Sequence, residues 1–585
     1  MHLNSFVGTP GGGRRVDYST VGSEGYTIPD VVLDGPGKRH GTSSMSKIPF
    51  KIIAVGCGRS TVESAYYLQK HIQNYELVAY DKNPDIGGTW LENKYPGVAC
   101  DIPSHAYAYA FAPNPDWPKM LASGQDVWAY LDRVCNVFRL RECMRFNTEV
   151  LGLYWQDDEG KWLVKLRKTT PGGQTIESED TCDIVLYHKG GLNTPKMPKL
   201  PGLDKFRGQV IHTARWPKDY SQERWGERIA VLGSGASAIQ AVPAMQPHVT
   251  HLHTYVRTGT WFVQLNEDFA QNHVYTQEER DAFRSDPEKL IAHGKEMDGA
   301  FNRIIPALFA GSPASVALQE MFTKRMAQHI KDERLLKGFT PSFAVGCRRV
   351  TPGDPYMKAI QEPNVTVHFT PVVSCTEDGV IGGDGVETKV DTIICATGFD
   401  VSYRPPFPVV GKHGIDLRKK WAEEANGPVI NGTACGSFQA NSMYGIRVIE
   451  KMQRDNIKSW MPRQDVTDKF NQHEWYKHTV WSGKAGECRT WYKNPETGRI
   501  NAIWPGSAMH YISAIASPRW EDMEIEYHDE NQWAHLGMGF TVQDRDMANL
   551  KDVSPHINVE SIDKKWLDVM QTPQSNGSNG SNGVH

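Results

Sequence analysis

No stretch of this 585-residue chain approaches the roughly 20 consecutive apolar residues that a bilayer-spanning helix needs. The first fifty residues also lack a basic start followed by an apolar run, so no secretory signal is expected, and the expectation is a soluble, cytoplasmic protein without a transmembrane segment. Charge of one sign is missing too. Lys plus Arg number 64 and Asp plus Glu 68, a formal net charge of −4 spread without long runs, so nucleic acid is not expected as a partner. Cysteine is sparse: ten residues at irregular spacing, with no C-x-x-C pair. That pattern predicts reduced thiols rather than disulfides, and no metal site. What is present, 39% hydrophobic and 23% charged residues over this length, suffices for several buried cores.

Residues 1 to 46 carry a triple glycine and several prolines without a sustained period, which predicts an extended arm. The last residues repeat Ser-Asn-Gly three times, and 571 to 585 are expected to be a disordered tail. Between them, strand-like runs alternate with helical patterns. Lys51 to Gly56 is a short apolar run. After its glycines, Val62, Ala65, Leu68 and Ile72 mark one face of a helix, and Glu76 to Asp81 reads as the next strand. The unit returns at Arg228 to Gly233, with a short helix stopped near Pro243 and a strand ending at Val256. The fold class expected is α/β, with two Rossmann-like dinucleotide-binding domains, the second inserted in the first. Residues 47 to 190 and 391 to 570 would form the first domain, and 191 to 390 the second, with a helical insertion at about 261 to 344.

Each unit has a glycine turn. In Gly56-Cys57-Gly58-Arg59-Ser60-Thr61, the first glycine permits the tight turn and the second lets the backbone approach a pyrophosphate at the helix N-terminus. Asp81, 23 residues after Gly58, stands where a carboxylate accepts hydrogen bonds from a ribose. Thr61 replaces the third glycine and is expected to crowd helix against strand. The second turn, Gly233-Ser234-Gly235-Ala236-Ser237-Ala238, keeps the tolerated alanine, and its second strand ends at Arg257-Thr258 instead of an acid. A guanidinium binds a 2′-phosphate that a carboxylate would repel, so NADP is favoured over NAD. Two such sites in one chain imply hydride transfer from NADPH to a bound flavin across a cleft.

Further motifs extend this reading. Gly87-Gly88-Thr89-Trp90 leads to Tyr95-Pro96-Gly97 and Cys100-Asp101-Ile102-Pro103-Ser104-His105, and Phe206, Gly208, His212 and Trp216-Pro217 fill the pattern F-x-G-x-x-x-H-x-x-x-W-P. Together these resemble the Baeyer–Villiger monooxygenases, class B flavoprotein oxygenases that insert oxygen beside a ketone. The resemblance runs from about residue 48 to 545. The late segment (Trp481, Trp491-Tyr492-Lys493, Gly506-Ser507-Ala508) is similar to fungal members acting on bulky terpenoid, steroid-like or polyketide ketones in secondary-metabolite biosynthesis.

The resemblance implies FAD and NADPH as cofactors, and a ketone and molecular oxygen as substrates giving an ester or lactone through a peroxyflavin. Arg349, in Gly346-Cys347-Arg348-Arg349, matches the family's catalytic arginine, and Asp101 the acid beside the flavin. Arg348 stands where a lysine usually helps hold the 2′-phosphate, Trp491 matches the tryptophan touching the nicotinamide cofactor, and His212 belongs to the hinge fingerprint. Gly88, Thr89 and Trp90 fall in the flavin-side motif, and Gly233, Gly235, Ser237, Arg257 and Thr258 on the NADP side. A fixed cation lowers the energy of an oxygen-centred anion, and a paired carboxylate offsets its desolvation.

Two departures stand out: Thr61, and Tyr187-His188-Lys189-Gly190 where relatives carry small residues resembling Ala-Thr-Gly. The closest rival is an N- or S-oxygenating flavin monooxygenase; a third is a flavoprotein turned to non-oxygenase, isomerase or lyase chemistry. The insertion and the segment from Cys435 to Tyr444 are expected to line the substrate pocket, with a plain core role equally open to the latter.

Overall fold

The computed structural model describes residues 49–263, 273–422 and 434–473, most of 477–533, and short pieces at 31–34, 38–41, 554 and 557–571. The arm and tail expected at the two ends fall almost wholly outside these. Residues Ile48–His528 form one compact unit, which holds every element discussed below. From the chain ends, the described pieces include a hairpin of Val31–Asp34 with Lys38–Gly41 and a helix at Lys564–Gln571.

Strand β1 (Phe50–Val55) is nearly all apolar, and Ile52, Ile53 and Ala54 have no exposed surface, as a central parallel strand covered on both faces requires. It runs into helix α1 (Arg59–His71), whose Val62, Ala65 and Leu68 recur at helical spacing and are buried on the sheet. Burying each larger side chain of that stripe contributes about 2 kcal/mol. Strand β2 (Tyr75–Tyr80) pairs parallel to β1. Helix α2 (Gly124–Val137) follows, and then β3 (Met144–Arg145), which pairs with β2. An antiparallel sheet of β4 (Thr148–Gln156), β5 (Lys161–Thr169) and β6 (Thr175–Cys182) precedes β7 (Ile184–Leu186), which closes the first sheet in the order β3-β2-β1-β7.

The second sheet is built from β8 (Gln209–His212), β9 (Arg228–Leu232), β10 (His251–Tyr255), β11 (Val365–His368) and β12 (Thr392–Cys395), all parallel, in the order β8-β12-β9-β10-β11. The chain is thus α/β with two dinucleotide-fold sheets. Helix α3 (Ala236–Met245) follows β9. Its Pro243 lies inside the helix, which continues two residues beyond the expected stop. Ala238, Ile239, Ala241, Val242 and Met245 are buried on either side of Pro243, and that packing outweighs the hydrogen bond the proline removes.

Between β10 and β11 lie helices α4 (Gln277–Ser285), α5 (Pro287–Asn302), α6 (Pro313–His329) and α7 (Glu333–Phe339). They divide between the two cores. Phe283, Leu290 and Met297 pack with Cys100, Ile102 and Trp117 of the first, whereas Phe322, Met326, Leu335 and Phe339 join the second. The insertion thereby spans the loop that carries Asp101. Helix α8 (Ala434–Asp455) returns to the first sheet, with Met443, Ile446 and Ile449 packed against Tyr67 and Leu68 of α1. For Met443 this is the core role that the sequence left open beside pocket lining.

Candidate active site

The two glycine turns have the same local build. Gly56 (φ +101°) and Gly233 (φ +125°) adopt a backbone that side chains rarely tolerate. A Cβ on Gly56 would lie 2.8 Å from the His188 carbonyl oxygen, and one on Gly233 would lie 2.5 Å from that of Ala396. The second glycines open on space. Gly58 has only the Gly88 Cα at 3.8 Å, and Gly235 has nothing within 4 Å. These two glycines are the N-caps of α1 and α3, and neither helix has a side-chain cap or an acid in its first turn. Helix α2 is the contrast: Ser123 and Asp126 form a complete capping box there. Glycine in place of a capping side chain costs only about a few tenths of a kcal/mol, and it leaves the first N–H groups without a side-chain partner. Two uncapped N-termini facing open space behind glycine therefore fit anionic ligands such as a pyrophosphate.

The strand ends differ. Asp81 is buried, and its Oδ2 accepts from the Cys57 N–H at 2.7 Å and its Oδ1 from the Asn83 N–H at 2.8 Å. Burial outweighs these bonds and raises its carboxyl above the usual range. At the other turn Arg257 is exposed and Arg348 is close to it. Burial and the Arg257 charge together lower the Arg348 guanidinium, which donates to the Gly259 carbonyl at 3.2 Å. The Thr258 carbonyl accepts from the Ser234 hydroxyl at 3.1 Å, and Ser237 hydrogen-bonds the Tyr95 phenol.

Thr61 is buried and tied into the first turn by its hydroxyl. Its hydroxyl donates to the Gly56 carbonyl at 2.5 Å and lies 3.0 Å from His188 Nδ1. With the hydroxyl proton on Gly56, His188 must carry its proton on Nδ1 and donate to Thr61. Burial lowers His188 to about 4, so the ring is neutral at physiological pH. The two departures noted in the sequence are therefore partners. Gly88 (φ +52°) meets Gly58, as a Cβ on it would lie 3.3 Å from the Gly58 Cα. It precedes the single helical turn Thr89–Glu92, in which the Trp90 indole N–H donates to the Tyr107 hydroxyl at 3.2 Å.

Arg349 and Asp101 form a two-pronged pair, Nε to Oδ2 and Nη2 to Oδ1, each at 2.7 Å. The loop that carries Asp101 is pinned by Cys100 N–H on the Ala122 carbonyl and Ser104 N–H on that of Met120. Asp101 keeps 18% of its side chain exposed and Arg349 38%. The Asp101 charge raises the Arg349 pKa further, against the pull of burial. Burial pushes the Asp101 carboxyl up, but the charge and hydrogen bonds of Arg349 outweigh it and hold the group below its usual value. Tyr492 also hydrogen-bonds Arg349 and is raised, first by burial. Trp491 stands beside it with ring centres 4.5 Å apart, and the Tyr403 hydroxyl donates to the Trp491 carbonyl at 3.5 Å.

The fingerprint residues gather elsewhere, around β8. Phe206 is buried against the second sheet with Ala230, Leu232 and Ile393, and a Cβ on Gly208 would lie 2.1 Å from the Asp391 carbonyl. His212 Nδ1 accepts from the Ala214 N–H at 3.1 Å, so its Nε2–H donates to the Gly398 carbonyl at 3.1 Å, across to the segment that leaves the second sheet. The Trp216 indole donates to the Tyr220 carbonyl at 3.1 Å. These contacts hold strand and linker together, and they lead to Gly398 and Tyr220 rather than to Arg349.

One expectation fails outright. Cys347 and Cys488 form a disulfide, with Cα atoms 6.4 Å apart across 141 residues of sequence, whereas thiols were expected throughout. Spacing gave no signal because the two meet only when the chain folds; the other eight cysteines are free. Nearby, Ile305, Leu308, Phe309, Thr479, Trp481 and Gly506 line a small open recess.

With this geometry in place, likeness to known proteins decides the family. The sequence model of flavin-binding monooxygenase-like proteins matches residues 50–278. The FAD-binding monooxygenase moxY of Dothistroma septosporum is 52% identical over 581 residues, covering 95% of this chain and 91% of its own. A Baeyer–Villiger monooxygenase of Pseudomonas aeruginosa is 32% identical over 486 residues, 78% of this chain and 88% of that one. The chain belongs to the Baeyer–Villiger class of flavin-binding monooxygenases. Cyclohexanone monooxygenase from Rhodococcus sp. Phi1, solved bound to NADP+, shares the fold at a TM-score of 0.68 and 22% identity, covering 82% of this chain and all of that one. Among the described residues of this monooxygenase, no helix is long and apolar enough to cross a membrane.

Proposed function

We propose that this monooxygenase uses NADPH and molecular oxygen to convert a bulky ketone to an ester or lactone, in secondary-metabolite biosynthesis. When bound, FAD supplies the electron-carrying and oxygen-activating chemistry. Gly56, Gly58, Gly88, Thr89 and Trp90 would hold it, with Asp81 at the ribose end. Gly233, Gly235 and Ser237 would hold NADPH, Trp491 would contact its nicotinamide half, and Arg257, Thr258 and Arg348 would take its 2′-phosphate. The convergence of two cations beside a bare helix N-terminus supports that choice.

The observation that carries the reading is the Arg349–Asp101 pair. Arg349 stays positive at any working pH and is aimed by two bonds to a carboxylate, so it holds its charge where an oxygen atom gains negative charge during addition to a carbonyl. The second task of the guanidinium is to keep that charge stabilised while a carbon migrates to oxygen. Asp101 offsets the desolvation of the guanidinium and sets its direction, and Tyr492 limits its swing. Phe206, Gly208, His212 and Trp216 act at a distance, through the linker at Gly398.

The test is to incubate the FAD-loaded enzyme with NADPH, labelled oxygen and a panel of cyclic and polycyclic ketones, and to read products by mass spectrometry. One labelled oxygen added to a ketone is the expected result. NADPH consumption that yields only hydrogen peroxide with every ketone, or labelled oxygen only on amines or sulfides, would overturn it.

A further inference from the structure

We infer that the Cys347–Cys488 disulfide is a positioning clasp, which holds the paired arginines of residues 348 and 349 against the segment that presents Trp491 and Tyr492. The inference rests on the proposed roles of those residues. Cys347 immediately precedes Arg348, and Cys488 lies three residues before Trp491. Both sulfur-bearing residues are buried, at 2% and 4% exposure, so the link belongs to the interior of the site rather than its rim.

The arginine loop has reasons to drift without such a link. Arg348 has Arg257 as its neighbour, and the charged group beside it lowers rather than raises its pKa. Its hydrogen bond to the Gly259 carbonyl, at 3.2 Å, is a neutral partner. Arg349, next in the chain, turns instead to Asp101, which both prongs of its guanidinium engage. The guanidiniums at 257 and 348 repel each other, which works against the placement of Arg348.

The opposing segment contributes a second hold from the same side. The Trp481 indole N–H donates to the Gly346 carbonyl at 2.9 Å. Gly346 has φ +88°, and a Cβ there would lie 2.4 Å from Leu308 Cδ2, so the loop turns in close contact with the insertion. The disulfide therefore joins two stretches that each carry groups proposed to meet the nicotinamide cofactor or the reacting oxygen. A covalent link cuts the ordering that binding would otherwise have to do. Its opening by a dithiol is balanced. The dithiol gives two electrons and two protons to the S–S bond, leaves as a cyclic disulfide, and Cys347 and Cys488 become thiols.

The experiment uses the full-length, FAD-loaded enzyme. Alkylation with N-ethylmaleimide in denaturant, without reductant, followed by peptide mass mapping should show Cys347 and Cys488 joined and the other cysteines alkylated. Finding both alkylated would overturn the inference. Native enzyme, enzyme opened with dithiothreitol, Cys347→Ala, Cys488→Ala and the double variant are then compared by NADPH oxidation and by tryptophan-fluorescence titration with NADP+. The expected result is a rise of about tenfold in both KM for NADPH and Kd for NADP+, the same in all four opened forms, with kcat within about twofold and flavin content unchanged. Reoxidation restores the wild-type enzyme alone. Equal KM in open and closed forms, additive effects of the two substitutions, or a fall in kcat with KM unchanged would each reject a positioning role. If the variants do not fold, the dithiothreitol-treated wild type carries the comparison. Absence of labelled product from the closed wild type would sink the proposed reaction instead, while the mapping and the NADP+ titration would still judge the clasp.

Discussion

The first and second glycine turns repeat one backbone solution with opposite chemical surroundings. In both, the first glycine backs onto a carbonyl of the chain leaving its own sheet, His188 in one and Ala396 in the other. In both, the helix starts bare behind the second glycine. The first turn adds a buried acid at the strand end and a threonine–histidine couple underneath, and the second has a buried Ala238 and arginines. The backbone suits an anion at both turns alike, and the two differ in the side chains at the strand end, an acid in one and arginines in the other.

The largest effect should come from the group that belongs to neither turn. Arg349→Ala is expected to lower oxygenated product by about a thousandfold, while NADPH still bleaches the bound flavin at a rate within a few-fold of wild type. Rapid-mixing absorbance beside product mass spectrometry checks this, and an equal loss of both steps would contradict the assignment. Next, Arg257→Ala should raise KM for NADPH about tenfold to a hundredfold and leave that for NADH nearly unchanged. Parallel changes in steady-state kinetics with the two cofactors would erase the contrast between the turns.

A smaller effect is expected at the couple beneath the first turn. Thr61→Gly and His188→Ala should each weaken FAD about three- to tenfold in a flavin-fluorescence titration, and together no more than singly, because the two side chains act as one. Simple additivity would mean that they are independent.

The smallest effect concerns a pH slope. Glu63, buried on α1 with Oε2 making no hydrogen bond, is pushed up to about 7 by burial, against the opposing charge of Arg59. Between about 4.5 and 7 the unfolded chain ionises this carboxyl and the folded chain keeps its proton, so stability falls as pH rises through that window. Glu63→Gln should remove a slope of up to about 1.4 kcal/mol per pH unit. Denaturant titrations at pH 5 and 7 measure it, and an unchanged difference between the two would refute the assignment.

Much of the site was legible because its signals are short-range. A strand, two glycines and a helix face lie within about twenty residues, and the turn chemistry is fixed locally. The Arg349–Asp101 pairing was readable only through resemblance, since its members are 248 positions apart. Contacts of that kind with no motif behind them were missed. Thr61 and His188 were each noticed as oddities, yet 127 residues separate them and nothing in the spacing showed that they meet. Tyr492 was read only as part of a motif, with no sign that its phenol touches Arg349. Cys347 and Cys488 failed for the same reason, and composition pointed the wrong way. Pro243 misled differently: a local preference was overruled by burial on both sides of it.

Gly97 sets how closely the loop before Asp101 approaches α3. A methyl group on it would lie 2.5 Å from the Gln240 carbonyl and 3.0 Å from Ala244, and Tyr95 and Ala99 on either side are bonded to the Gln240 side chain. Main chain thus rests directly on main chain where the flavin-side loop meets α3, with no side chain between them to yield. A side chain at 97 would therefore have to push the loop off α3 and strain the bonds that Tyr95 and Ala99 make to Gln240.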